Sequence, residues 1–264
     1  MTAVQAVRQV FGFFGFLSRR TGKTRVFAIL GLIPVVLAVV VRIVLHGRSG
    51  PMAAVFTDIL MVFFLQFYIV ILALFYGTSI TAEEVENRTL SYLITRPIPK
   101  PAIVLGKFAA YSVLMFAMVA VSLALSYFIM NAARLSDPEL YLTFLRYLGV
   151  LGLGILAYAA FFTFLGTILK RAIIVGLVFG FGWENVIQYF PGSTQRFSIV
   201  HYLKSLLPYH PTVGGGGGRG VALLLFRLEP TKPLVAVLAL TVVTVALLAL
   251  ACWIFGMKEY LYEE

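Results

Sequence analysis

An acidic cluster and a histidine in this sequence are residues that could together hydrolyse an amide bond. The first is an acidic cluster, Glu83, Glu84 and Glu86 with Arg88, in a chain in which 12% of residues are charged. The second is His201. A glutamate can activate water for attack on an amide carbonyl, but the histidine must then lie within hydrogen-bonding distance of the same reaction centre. The elements that carry these residues therefore decide whether this chemistry is possible.

The composition predicts that those elements are transmembrane helices. Of the 264 residues, 61% are hydrophobic, which is more apolar surface than one soluble core can bury. Apolar runs of about 20 residues can cross a bilayer, and runs this long exclude the alternating strands of a barrel. The sequence therefore predicts an all-α, polytopic membrane protein with six transmembrane helices, at residues 26–45, 55–80, 103–130, 147–169, 172–190 and 234–257.

The basic residues of the loops predict how this bundle is oriented. Lys and Arg are concentrated in the N-terminus and in the loop after the second span, and they are few in the short loops on the other side. The positive-inside rule then places both termini in the cytoplasm. The acidic cluster becomes cytoplasmic and His201 external, so a hydrocarbon core about 30 Å thick separates them.

Three functions of a polytopic membrane protein are alternatives to the one that the acidic segment indicates below. Glu83, Glu84 and Arg88 match the first motif of intramembrane glutamate proteases, Glu-Glu-x-x-x-Arg, and Phe197 with His201 matches the second, Phe-x-x-x-His. The topology argues against this protease, and its third motif, His-x-x-x-Asn, is missing. An ion-coupled secondary transporter would usually show internal repeats, and we find no convincing repeat. A non-transporting assembly factor is the third alternative.

The charge and the short motifs predict no nucleic-acid partner and no cofactor site. The net charge is +10, but Lys and Arg in a bilayer protein mainly set topology and contact anionic headgroups, so we expect membrane lipids as partners. The segment TGKT lacks the earlier glycine of a phosphate-binding loop, because Leu17 stands at that position. The three histidines show no metal-binding pattern, and the single Cys252 forms no intramolecular disulfide.

Two segments outside the spans are predicted to be helical. At the N-terminus, Val4, Val7, Phe11 and Phe14 recur every three or four residues opposite a polar face, which is typical of an interfacial amphipathic helix. Residues 197–207 also have helical spacing and predict an external helical segment between spans five and six. A single transmembrane domain, 1–264, would then contain a cytoplasmic N-terminus at 1–25, a cytoplasmic loop at 81–102 and an external loop at 191–233.

The predicted fifth span contains a charged residue. Residues 172–183 precede Glu184, which places Glu184 about 18 Å along the helix at 1.5 Å per residue. That depth lies within a hydrocarbon core about 30 Å thick. Glu184 therefore either faces water or a partner inside the membrane, or the span ends early and Glu184 lies among the outer headgroups.

The acidic cluster leads into a segment that resembles a docking helix. Leu90, Leu93 and Ile94 continue at helical spacing beside the charged residues, and an apolar ridge bordered by charge suits a groove on a partner protein. The prolines of the following RPIPKP then stop the helix and stiffen the connection to the third span.

These residues resemble the cytoplasmic loop of the integral-membrane permeases of ABC type 2 exporters. The pattern of that family is Glu-x-Glu-x-Gly-Thr, a leucine-rich turn, a Pro-hydrophobic pair and a hydrophobic-Gly-Lys at the next span. Arg88 stands where glycine is usual. The matching residues here are Glu84, Glu86, Thr89, Leu90, Leu93, Pro97, Ile98, Gly106 and Lys107.

The resemblance implies a transport subunit that is not itself an enzyme. ATP and Mg would be bound by a separate cytoplasmic ATPase, and a second permease protomer, identical or paralogous, would complete the path, with accessory proteins possible. The membrane would be the cytoplasmic membrane of a bacterium or archaeon. ATPase coupling is implied for Glu83, Glu84, Glu86, Arg88, Thr89, Leu90, Leu93 and Ile94, with Lys170 and Arg171 as a second contact. The substrate path is implied for Tyr68, Tyr76, Trp183 and Glu184, with packing or headgroup contact as the alternative.

Overall fold

The computed structural model describes residues 5, 7–12, 14, 22–44, 56–57, 60–86, 100–169, 171–187, 193–207 and 231–257. Within these ranges the chain forms helices and turns and no strand, which confirms the all-α prediction. The α-helices are α1 (7–12), α2 (Gly22–Leu30), α3 (Ile33–Val44), α4 (Ile69–Glu86), α5 (Lys100–Met130), α6 (Pro138–Ile168), α7 (Ala172–Leu177), α8 (Glu184–Val186), α9 (Ile199–Leu206) and α10 (Pro233–Met257). Two π-helical segments, Leu60–Tyr68 and Val178–Trp183, and two 3-10 helices, Ala132–Arg134 and Ser193–Phe197, complete the described elements.

Five stretches of these helices are long and apolar enough to cross a membrane. They are Thr24–Val44, Val62–Ile80, Pro101–Met130, Pro138–Ile168 and Pro233–Met257, and they confirm a polytopic membrane protein. The predicted fifth span corresponds to the short apolar helix Ala172–Val186, which is about 22 Å long at 1.5 Å per residue. Because a hydrocarbon core is about 30 Å thick, and because 188–190 lie outside the described residues, six spans stay a prediction.

The first span is broken near its middle. A turn begins at Gly31, because Pro34 has no backbone N–H with which to continue the helix. The Tyr68 hydroxyl donates to the Phe27 carbonyl at 3.1 Å. The Ser122 hydroxyl donates to the Gly31 carbonyl. Side chains of spans two and three thus bind one carbonyl group in the turn before the break and one in the break itself.

Helix α6 begins earlier than predicted. Its start at Pro138 precedes the predicted boundary at residue 147. The Asp137 side chain accepts a hydrogen bond from the Glu139 N–H at 3.1 Å, so Asp137 is the N-cap and Pro138 occupies the first helical position, where its missing N–H costs nothing. The helix is therefore longer than the hydrocarbon core requires.

The centre of the bundle is the contact between α4 and α6. Gly77 lies on α4 where a β-carbon would be 2.9 Å from Cβ of Phe162 and 3.1 Å from the carbonyl oxygen of Ala159. Only glycine allows the two backbones to approach so closely, as is common where helices pack in membranes. Helix α6 also contacts α5, α7, α9 and α10, so it touches helices from most of the described chain.

Candidate functional site

The acidic cluster extends the second span. The apolar stretch ends at Ile80, and α4 continues through Glu83 and Glu84 to Glu86. The other residues implied in ATPase coupling, from Arg88 to Ile94, and also Lys170, lie outside the described residues. Arg171 is exposed in the turn before α7. Coupling by these residues stays a prediction.

His201 lies away from the acidic cluster. It is on α9, and its Nε2 is 2.9 Å from the Thr231 hydroxyl. Helix α9 contacts the π-helical segment Leu60–Tyr68, whereas Glu84 follows Tyr68 by about 24 Å along the same helix at 1.5 Å per residue. The contacts of α9 therefore place His201 near the opposite end of span two from the glutamates of the protease motif.

The Glu184 carboxylate binds the N-terminus of α9. Glu184 is 2% exposed, and its Oε1 accepts from the Ile199 N–H at 3.1 Å. Its Oε2 accepts from the Val200 N–H at 3.4 Å and from the Ser198 hydroxyl. Ser198 is the N-cap of α9, because its Oγ also accepts from the His201 N–H at 3.3 Å. The first N–H groups of a helix lack partners within the helix and attract negative charge, so Glu184 anchors α9 to the short apolar helix.

Two further buried polar side chains surround this carboxylate. Tyr158, on α6, is fully buried near Glu184, and its hydroxyl makes no hydrogen bond within the described part of the chain. Lys204 is 4% exposed. Burial lowers the pKa of the Lys204 ammonium to about 8, and the negative charge of Glu184 opposes that shift. Glu184, Ser198, Tyr158 and Lys204 therefore form a buried polar cluster, which we call the α9 anchor.

Tyr68 and Tyr76 both contact the first span. Tyr68 is fully buried, with its hydroxyl on the Phe27 carbonyl. Tyr76 is 5% exposed, with its hydroxyl 2.9 Å from Oγ1 of Thr24. Within one chain both tyrosines have packing partners, so the alternative that they simply pack agrees with their positions. Their part in a substrate path stays a prediction.

The two π-helical segments touch through one pair of aromatic rings. The rings of Phe67 and Phe181, one from each segment, are 5.5 Å apart. Trp183 ends the second segment and is 48% exposed, whereas the next residue, Glu184, is buried. π-helical turns are rare and frequently occur at functional sites. The structure thus separates the four residues predicted to line a path: Tyr68, Tyr76 and Glu184 are buried within the chain, and Trp183 faces outward.

Sequence reasoning missed the partners of Glu184. Ser198 could have been found, because a serine before an apolar helical run is an N-cap signal. Tyr158 and Lys204 carry no such signal, since neither stands at a fixed spacing from Glu184. Among the described residues, no three His, Cys, Asp or Glu side chains are grouped so that they could hold a metal ion.

Comparison with known proteins identifies a family for the chain. Curated proteins give no significant match. The model of a family described as ABC-2 family transporter protein matches residues 21–260, which include all five candidate spans, the acidic cluster and the α9 anchor. Because this match covers most of the sequence, the chain belongs to the ABC-2 family of transporter proteins.

Proposed function

We propose that this chain is the membrane-spanning subunit of an ABC exporter and moves a substrate outward when a separate cytoplasmic ATPase binds and hydrolyses ATP. The observation that carries the proposal is the family match over residues 21–260. It is supported by five apolar helices of spanning length. The outward direction and the cytoplasmic position of both termini rest on the sequence and on its resemblance to exporter permeases.

The ATPase would be a separate subunit that binds ATP and Mg. Support for this comes from the sequence, in which TGKT is not a complete phosphate-binding loop. Helix α4 offers a contact for such a subunit, because it continues beyond the apolar stretch through Glu83 and Glu84 to Glu86. The coupling role would extend through the segment from Arg88 to Ile94, with Lys170 and Arg171 as a second contact.

The complete transporter would contain two permease protomers in a bacterial or archaeal cytoplasmic membrane. The short apolar helix and span two would lie near the interface between them, with Tyr68, Tyr76, Trp183 and Glu184 close to the substrate path. The short apolar helix would be the fifth of six crossings. The N-terminal helix would lie at the inner membrane surface and α9 in the external segment.

Purification with a candidate ATPase from the same organism tests this function. We expect a complex in which the permease and the ATPase are present in equal numbers, and an ATP hydrolysis rate that changes when the permease is present. A chain that purifies without any ATPase would contradict the proposal. Cleavage of a membrane peptide by the chain alone would favour the protease, and transport driven by an ion gradient would favour a secondary transporter.

Reversing the charge of the acidic cluster should weaken ATPase binding. Glu84→Lys and Glu86→Lys each place a positive charge where the proposed contact is negative, and loss of a close interfacial charge pair typically costs 2 kcal/mol or more, or about 30-fold in affinity. The dissociation constant of the complex measures the effect. Glu139→Lys is the matched control, because Glu139 is exposed at the start of α6. Wild-type affinity in both cluster variants would contradict the coupling role.

A further inference from the structure

The N-terminal helix packs directly on the start of α5. A β-carbon at Gly106 would lie 2.6 Å from Cγ1 of Val10 and 3.1 Å from the Val7 carbonyl oxygen. Val10 is 5% exposed. Any side chain at Gly106 would push the N-terminal helix away, so glycine here permits a close approach of two helices that are far apart in sequence.

The next residue, Lys107, connects the same helix to span two. Lys107 is 1% exposed. Its Nζ donates to the Ile80 carbonyl at 3.4 Å and lies 4.4 Å from the centroid of the Phe14 ring. A buried ammonium is unfavourable unless polar groups or an aromatic face compensate for the lost water. The Phe14 ring and the Ile80 carbonyl supply that compensation from two different elements.

These contacts lie just outside the two ends of the predicted loop at 81–102, which carries the acidic cluster and is called the acidic loop below. Ile80 is the last residue of the apolar stretch of span two, six positions before the end of α4 at Glu86. Gly106 and Lys107 are in the second turn of α5, which begins at Lys100. The segment proposed to contact the ATPase therefore lies between two fixed points, Ile80 on α4 and Gly106 on α5. The N-terminal helix contacts Gly106 directly and Ile80 through Lys107.

We propose that Gly106 and Lys107 form a seat for the N-terminal helix, and that the seated helix fixes the two ends of the acidic loop relative to each other. The two residues are positioning residues: Gly106 provides the space and Lys107 the bridge to Ile80. The role in ATP coupling rests on the proposed function, whereas the seat itself is a property of this chain. Displacement of the loop would then move α4, α5 and the N-terminal helix as one unit.

Matched glycine substitutions test the seat. Gly106→Ala introduces the clash with Val10, whereas Gly12→Ala introduces a methyl group in the same N-terminal helix with no atom within 4 Å. Val10→Gly combined with Gly106→Ala, called the size exchange below, moves the bulk from Val10 to position 106. It removes the two closest contacts and leaves the Val7 carbonyl oxygen at 3.1 Å, so it should largely restore the packing. Lys107→Met removes the bridge, and Lys107→Arg keeps the charge and its attraction to Phe14.

Two measurements on the purified chain in lipid nanodiscs test whether the N-terminal helix is seated, and neither needs an ATPase. Hydrogen exchange of amides 7–12 should become about 10-fold faster in Gly106→Ala and Lys107→Met. Spin labels at Thr81→Cys and Lys100→Cys, in a Cys252→Ser background, should show a broader distance distribution in the same two variants. Gly12→Ala, Lys107→Arg and the size exchange should resemble wild type. Equal exchange and equal distributions in Gly106→Ala and Gly12→Ala would overturn the seat.

The rate of ATP hydrolysis by the assembled complex tests whether Gly106 and Lys107 have a role in coupling. We expect Gly106→Ala and Lys107→Met to lower the maximal rate about 10-fold while the KM for ATP is unchanged, because ATP binds to the partner subunit. The size exchange and Lys107→Arg should recover the rate, which a general loss of stability would not explain. An unchanged maximal rate despite broader distances would overturn the coupling role. If wild type assembles with no ATPase, the proposed function fails, and the distance measurement still decides the seat.

Discussion

A Glu184→Ala variant will release α9 from the short apolar helix while the chain still inserts and assembles. The substitution removes the acceptor for two backbone N–H groups, of Ile199 and Val200, and for the Ser198 hydroxyl. Buried donors without partners cost about 1–3 kcal/mol each to leave unsatisfied, and more where the lost partner is charged. We expect amides 199–206 to exchange at least 30-fold faster, which corresponds to about 2 kcal/mol of local stability.

Two comparison variants separate loss of the anchor from loss of a carboxylate in general. Glu184→Gln keeps one acceptor oxygen but turns an amide N–H₂ toward the donors, so its effect should be intermediate. Glu139→Ala removes a carboxylate that is exposed at the start of α6 and should leave the exchange of α9 unchanged. Wild-type exchange of amides 199–206 in Glu184→Ala would show that α9 is held by its apolar contacts alone.

Loss of the anchor should also impair transport. Helix α9 contacts α6, α10 and the π-helical segment Leu60–Tyr68, so releasing it disturbs several helices at once. We expect a lower maximal rate of ATP hydrolysis by the complex and unchanged affinity for the ATPase, because the acidic cluster lies at the other end of span two. Full activity of Glu184→Ala with a released α9 would exclude a role of this contact in transport.

The helices were predictable from the sequence because their signals are local. A long apolar run must bury its backbone polar groups in a helix when it lies in lipid, so the predicted ranges 26–45, 103–130 and 234–257 agree with the structure within two residues. The second predicted span ends at Ile80 as expected, but its apolar helix begins at Val62 and not at residue 55. Pro34 similarly contains the information for the break in span one. The early start of α6 was missed because residues 138–146 are too polar for a span, although Asp137 and Pro138 form a recognisable helix start.

The partners of the candidate site residues were not predictable because they depend on contacts that are distant in sequence. Glu184 stands out as a charge within an apolar run, but no periodicity relates it to Tyr158 on α6. Gly106 and Lys107 belong to the motif that resembles the exporter permeases, yet Val10 and Phe14 are more than 90 positions away in a different amphipathic helix. The sequence therefore identifies residues that are unusual for their position, but it does not identify the residues that contact them.

Gly77→Ala will destabilise the bundle more than alanine at any exposed glycine. The added β-carbon would meet Cβ of Phe162 at 2.9 Å and the Ala159 carbonyl oxygen at 3.1 Å. Neither atom can move without shifting the backbone of α6, unlike the flexible end of a long side chain. Overpacking of this kind costs about 1–3 kcal/mol, and the rigid neighbours favour the upper part of that range.

The thermal midpoint of the chain in nanodiscs measures this effect, with Gly149→Ala as the control. Gly149 is exposed on α6, and a β-carbon there would meet no atom within 4 Å, so its substitution should leave the midpoint unchanged or raise it, since alanine favours helix more than glycine does by about 1 kcal/mol. A midpoint that falls equally in both variants would contradict the prediction, because Gly149→Ala adds no clash and should favour the helix. A fall confined to Gly77→Ala would establish this contact as the centre of the bundle, on which both the acidic extension of α4 and the α9 anchor depend for their positions.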